Sequence, residues 1–438
     1  MPVNYLPLYG TYHPKTMKKI IFLPFFFLFA AITYGQFDKW FEHKTLRLDY
    51  YHSGNHKEES CSFDELIEEP YWGGSLTNLI DTFGYGNYFM KVYEASGRKL
   101  LYSRGYSTLF FEWQTTKEAD TVTRSFSESV VFPYPKVPVD VEISKRTWEG
   151  RWKKIFSYHV DTGNYFIKKD MRMEYPVYDV WTSGDPAEKV DVVILPDGYT
   201  EEEMDRFVAD CRQFEKNFFT YSPYKESRMK FNLRAVLAPS PGSGTDIPAE
   251  DVWVPTILNT SYYTFDSERY LMTYDYKRVR DLAANAPYDQ IYILVNSDKY
   301  GGGAIYNFYN VAVNGNMKSA KILIHEFGHG FAGLGDEYGP DETYGEFYNT
   351  KVEPWEPNLT TLVHFERKWK DMVADTVPVP TPDIEKYYHV VGVFEGGGYM
   401  NKGMYRPMHD CLMNTFNGDV FCPVCRRAIL RMIDFYTR

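Results

Sequence analysis

His325, Glu326 and His329, followed by Gly333 and Asp336, are the residues of this chain whose types and spacing could do chemistry. Four residues along a helix is slightly more than one turn, so His325 and His329 leave the same face and two imidazole nitrogens can meet at one ion. Glu326 then points to the flank, where its carboxylate can reach a water held by the metal without becoming a ligand. Gly333 can end the helix in a left-handed conformation that a side chain would resist, turning the backbone so that Asp336 supplies a third ligand. Three protein ligands and one open position are what a catalytic Zn²⁺ needs, and the chemistry is metal-assisted hydrolysis with Glu326 as general base. Glu337, Glu342, Glu346 and His409 compete with Asp336 for the third place. The plainer alternative, two core histidines followed by solvated loop acids, requires all these residues to coincide in the order zinc chemistry uses.

A helix must carry the two histidines, and the apolar run after Asn316 predicts one over 317–331 with Asn316 capping it. Val190 to Leu195 and Gln290 to Val295 read as buried strands. Between them, Thr200 followed by Glu203 opens a helix that runs to about Thr220. Gly301 to Tyr306 and Val311 to Val313 read as a glycine loop and an edge strand beside the site, either a simple hairpin or an edge that takes an extended peptide by strand addition.

The string HEFGHGFAGLGDEY, an HExxHxxxGxxD pattern, resembles the extended zinc signature of the metzincins and most closely the IgA-peptidase family of secreted bacterial zinc metallopeptidases. Metzincins carry a third histidine where this chain has Asp336, and the aspartate is what the IgA-peptidase resemblance implies. The resemblance further implies a metzincin-like α/β domain over 187–438, preceded by an accessory domain, and a methionine turn under the metal, for which Met413 is the candidate. It names host immunoglobulin A as a candidate substrate without transferring substrate identity, because specificity lies in subsites outside the motif. Tyr399, Tyr405 and Arg406 follow a glycine run that leads back toward the metal, and are candidates to stabilise an oxyanion.

Residues 36–180 alternate short β-rich runs with turn signals, among them Thr45 to Tyr50, Tyr88 to Tyr93 and Val139 to Ile143, which suits an antiparallel β-sandwich. The fold class expected is therefore α+β, with an accessory sandwich ahead of the peptidase domain. His52 and His56 sit among polar residues and read as surface histidines.

Residues 1–35 read as an N-terminal extension and a secretory signal peptide, with Met17 the true start, Lys18 and Lys19 its basic region and Ile20 to Ala31 its apolar stretch. Cleavage near Gly35 and Gln36 would release an exported periplasmic or extracellular product, and a retained anchor is disfavoured because the stretch is short for a bilayer. Five cysteines in an oxidising compartment suggest a disulfide from Cys411 to Cys422 or Cys425; the competing reading is a structural zinc held by His409, Cys411, Cys422 and Cys425. The acidic loops raise Ca²⁺ as a second cation, for which no loop motif speaks.

A net charge of -11 argues against nucleic acid as a partner. The partner expected is a protein or glycoprotein substrate of a secreted zinc endopeptidase. The rival class is a non-catalytic surface or glycan-binding protein with a structural zinc, and Glu326 counts against it, since a structural site has no use for a general base.

Overall fold

The computed structural model describes residues 1–2, 36–339, 347–415 and 420–438. The basic and apolar run from Met17 to Ala31, and the rival ligands Glu342 and Glu346, lie outside the described residues.

Seven strands make two antiparallel sheets in the first part of the chain: β1 (Phe41–Gly54), β2 (Glu59–Glu69), β3 (Tyr88–Glu94), β4 (Leu100–Tyr106), β5 (Arg124–Pro135), β6 (Val139–Arg146) and β7 (Trp152–Val160). One sheet has the order β2-β1-β5 and the other β4-β3-β6-β7. Alternate residues of these strands, such as Leu46, Leu48 and Tyr50 of β1 and Met90 and Val92 of β3, share one apolar core. His52, expected on the surface, is fully buried there, because it continues the inward-facing set of Leu48 and Tyr50; Glu59 and Glu128 each meet one of its ring nitrogens at 3.0 Å.

The second part is built on a six-stranded sheet formed by β8 (Val177–Trp181), β9 (Val190–Asp197), β10 (Phe231–Val236), β11 (Gln290–Val295), β12 (Gly302–Ile305) and β13 (Tyr309–Val313), in the order β12-β13-β11-β9-β10-β8. The four inner strands are parallel and the two edge strands antiparallel to their neighbours. β9, β11 and β13 are buried at every position, as strands covered on both faces must be. β8 pairs with β10 and so belongs to this sheet. Thr200 and Glu203 do form a capping box, ahead of a helix over Met204–Phe218.

The two parts share an apolar layer. Leu109, Phe110 and Trp113, from the short helix Leu109–Gln114, pack with Val193, Ile293 and Val311 of the large sheet. The opposite face is covered by the helix Ser319–Ala332, which carries the HExxH residues, and by the C-terminal helix Pro423–Tyr436, in one cluster with Phe327, Met413 and Ile429. A hairpin of β14 (Phe394–Gly397) and β15 (Met400–Arg406) completes the fold near the motif helix. The chain is thus mixed α and β with several sheets. Among the described residues, no helix is long and apolar enough to cross a membrane.

Candidate metal centre

The motif helix is apolar on nearly every side and runs from Ser319 to Ala332, two residues later at its start than the sequence pattern suggests, because Asn316 caps a preliminary turn by accepting the Lys318 N–H. Gly333 ends it with φ 64° and ψ 30°, and its N–H returns to the His329 carbonyl. The left-handed residue sends the chain back along the helix, as the sequence requires if Asp336 is to meet the histidines.

The meeting is close. His325 Nε2 and His329 Nε2 are 3.0 Å apart, and Asp336 Oδ1 lies 3.2 Å from the first and 3.3 Å from the second. Donors around a tetrahedral zinc at its usual bond lengths are separated by about 3.3 Å, so the three atoms already stand at the corners of such a site. Each imidazole gives its Nδ1–H to a carbonyl, His325 to Leu412 at 2.9 Å and His329 to Leu334 at 2.6 Å. A carbonyl can only accept, so in the neutral rings the lone pairs sit on the converging Nε2 atoms. Asp336 Oδ2 accepts the Tyr399 hydroxyl, whereas Oδ1 is buried and has no hydrogen-bond partner. A buried carboxylate oxygen left bare beside two imidazole nitrogens has the chemistry of a cation site.

Charge in the cluster follows from this packing. Burial works against a cation on His329, but the Asp336 carboxylate outweighs it and lifts the ring to about 9. Burial likewise opposes charge on Asp336, yet His329 and His325 hold its carboxyl well below the usual range. Burial pushes the Glu326 carboxyl up, against the pull of the two histidines. Glu326 stands on the flank of the helix against β12: a Cβ added at Gly302 would come 3.2 Å from its Oε1.

These residues open into a cleft of about 340 Å³. Gly301 to Ile305 form one wall and Arg269, Tyr300 and Tyr338 line it further out. β12, not β13, is the sheet edge; Gly302 already gives its N–H to the Arg269 carbonyl and accepts the Leu271 N–H, so any strand addition is confined to Gly303 onward. The first part of the chain, which carries no chemical motif of its own, reaches the cleft through Phe111 and Glu112, and the Tyr270 hydroxyl donates to the Glu112 carboxylate. Burial raises that carboxyl to about 7, with the Tyr270 bond opposing.

Other expectations divide. Met413 lies under the motif helix with its sulfur where a Cβ on Gly328 would come within 3.0 Å, so glycine at 328 makes room for it. Tyr399 enters the cleft, but its hydroxyl serves Asp336. Tyr405 and Arg406 do not line the cleft: the Tyr405 backbone pairs with Thr360, and the Arg406 Nη1 donates to the Glu395 and Gly396 carbonyls. His409 is turned away, stacked on Tyr388 with Nδ1 on Asp383. No disulfide forms; Cys411 and Cys425 are 3.8 Å apart at sulfur. Glu337 points away from the histidines. The acidic group Asp49, Asp64 and Glu65 faces the ammonium of Lys277. Asn358, absent from the sequence reading, clamps the turn that carries Asp336: it accepts the Gly335 N–H and donates to the Gly335 carbonyl, both at 2.8 Å.

The helix-borne His-His-Asp group beside a mainly parallel sheet, with a glutamate on its flank, has the donor chemistry of a metal centre. The model of the IgA Peptidase M64 family matches residues 179–390 and 383–433, and that of the Peptidase M64 N-terminus matches 36–157. The chain therefore belongs to the M64 peptidases, a family of metallopeptidases, and is an enzyme of that class. No curated protein matches it.

Proposed function

We propose that this protein is an exported zinc-dependent endopeptidase, in which His325, His329 and Asp336 hold the ion and Glu326 is the general base. The observation that carries the reading is the triangle of 3.0, 3.2 and 3.3 Å between the three donor atoms, with Asp336 Oδ1 buried and bare. A zinc ion held there supplies Lewis acidity to a water and to the scissile carbonyl. His329 must release its proton to bind, and Asp336 keeps its second oxygen on Tyr399, which fixes the carboxylate's direction. Glu326 accepts the proton of the attacking water and returns it to the leaving amine; its raised affinity for a proton, a consequence of burial, suits a group that carries one between two steps.

The motif order, the Asp336 ligand and Met413 beneath Gly328 support a metzincin-like catalytic domain. The two antiparallel sheets ahead of it support an accessory β-sandwich that completes the cleft through Phe111 and Glu112. An extended protein substrate, host-derived in this reading, would lie along Gly303 to Ile305.

A diverse peptide library incubated with the chain from Gln36 tests the proposal. Cleavage that chelator abolishes and Zn²⁺ restores is expected; zinc bound with no peptide cut at all would move the weight to a binding protein.

A further inference from the structure

Four fully buried donors meet one residue beyond Asp336. Glu337, Cys411, Cys422 and Cys425 expose at most 3% of their surface, and one donor atom from each lies within 4.8 Å of all the others. The sulfurs of Cys411 and Cys425 are 3.8 Å apart, and Cys425 Sγ is 3.1 Å from Glu337 Oε1. Two thiolates on a tetrahedral zinc are separated by about 3.8 Å, whereas a disulfide needs about 2.05 Å. Three thiols also cannot pair completely: any disulfide among them would leave the last cysteine against a buried carboxylate.

Glu337 is the independent witness. Its Oε1 accepts Asn358 Nδ2 at 2.9 Å, but Oε2 is buried with no partner. A carboxylate oxygen sealed from water and left bare is costly unless a cation meets it. Two of the sulfurs accept backbone N–H groups of the kind that favour thiolates: the Cys422 N–H donates to Cys411 Sγ at 3.2 Å and the Cys425 N–H to Cys422 Sγ at 3.4 Å. Cys422 caps the C-terminal helix and Cys425 lies in its first turn, where helix N–H groups favour thiolates.

We propose that Glu337, Cys411, Cys422 and Cys425 form a second, closed zinc site that is structural and separate from the His325-His329-Asp336 centre. Three sulfur donors select a soft ion such as Zn²⁺ over Ca²⁺ or Mg²⁺. Four protein donors leave no open position for chemistry. The site would tie together three segments. One is the turn carrying Asp336; another is the loop whose Leu412 carbonyl orients His325 and whose Met413 carbonyl accepts the Glu337 N–H at 2.7 Å; the last is the C-terminal helix. Its role is to hold the ligands of the first centre in register.

The test uses the full chain and the double variant His325→Ala/His329→Ala, which empties the first centre and leaves all four donors of the second intact. Metal analysis of that variant is expected to find about one zinc per chain, against about two in the wild type. Exchange of the zinc for Co²⁺ should then give the intense near-ultraviolet absorption of thiolate-to-cobalt charge transfer, and alkylation of the denatured, unreduced chain should label all three cysteines. A double variant without metal, or one whose cobalt form lacks that absorption, would overturn the proposal, as would a disulfide among Cys411, Cys422 and Cys425. Because the readout is metal and sulfur chemistry, the answer does not depend on what the first centre cleaves. Cys422→Ser adds a direct check, with about one zinc lost per chain relative to the wild type.

Discussion

Asp336 and Glu337 are neighbours in sequence and turn their carboxylates to opposite sides of one loop. Asp336 joins two imidazoles at the floor of a cleft, where Glu326 flanks the group and solvent and substrate have access. Glu337 joins three sulfurs in a sealed pocket behind it. The first cluster offers three donors with a carboxylate on its flank; the second offers four donors and has no such flanking group. Openness separates them: a centre that must bind a water and a carbonyl keeps a coordination position free, while a centre that only braces the fold fills every position with protein. The turn made by Gly333 and clamped by Asn358 carries both carboxylates, so on the reading proposed above the placement of Asp336 depends on a neighbour outside the cleft.

Variants of single residues break the comparison on one side at a time. His329→Ala should abolish peptide cleavage and lower zinc content by about one ion per chain, leaving the second equivalent in place. Cys422→Ser should do the reverse to the metal, removing the buried ion, and should lower the thermal unfolding midpoint by about 10 °C or more, since structural zinc contributes directly to folding free energy. Tyr399→Phe leaves Asp336 Oδ2 without its partner, and about a 10- to 100-fold loss in zinc affinity or turnover is expected, read by competition with a fluorescent chelator.

A further effect, on stability and not on turnover, belongs to the wall supplied by the first part of the chain. Burial raises Glu112 to about 7, so between its unfolded value and that pH the folded state binds the extra proton, and stability falls as pH rises through the interval. Glu112→Gln removes this dependence; the wild type should lose about 3 kcal/mol relative to the variant from pH 4.5 to 7, measured by denaturant unfolding.

What could be read in advance was what local geometry dictates. The motif helix, the left-handed Gly333 and the approach of Asp336 follow from the period of a helix and the freedom of one glycine. β9 and β11 follow from unbroken apolar runs. Residues that come from distant loops were not legible. Asn358 meets Gly335 from 23 residues further along the chain, Glu112 reaches the cleft from the other part of the chain, and nothing local to either announces the contact. Glu337 is one of the rivals for the first ion by residue type, yet its carboxylate lies with Cys411, Cys422 and Cys425. His409, near the cysteines in sequence, has the residue type to join them but stacks on Tyr388. The polar neighbours of His52 in sequence suggest a surface residue, although the alternation of β1 turns it inward with Tyr50.

The most direct test is the turnover of Glu326→Ala measured beside its zinc content. The variant should carry as much zinc as the wild type and cleave peptides about 10²- to 10⁴-fold more slowly, because it keeps every donor and loses only the proton carrier. Full zinc with undiminished cleavage would contradict the assignment of Glu326 and with it the mechanism.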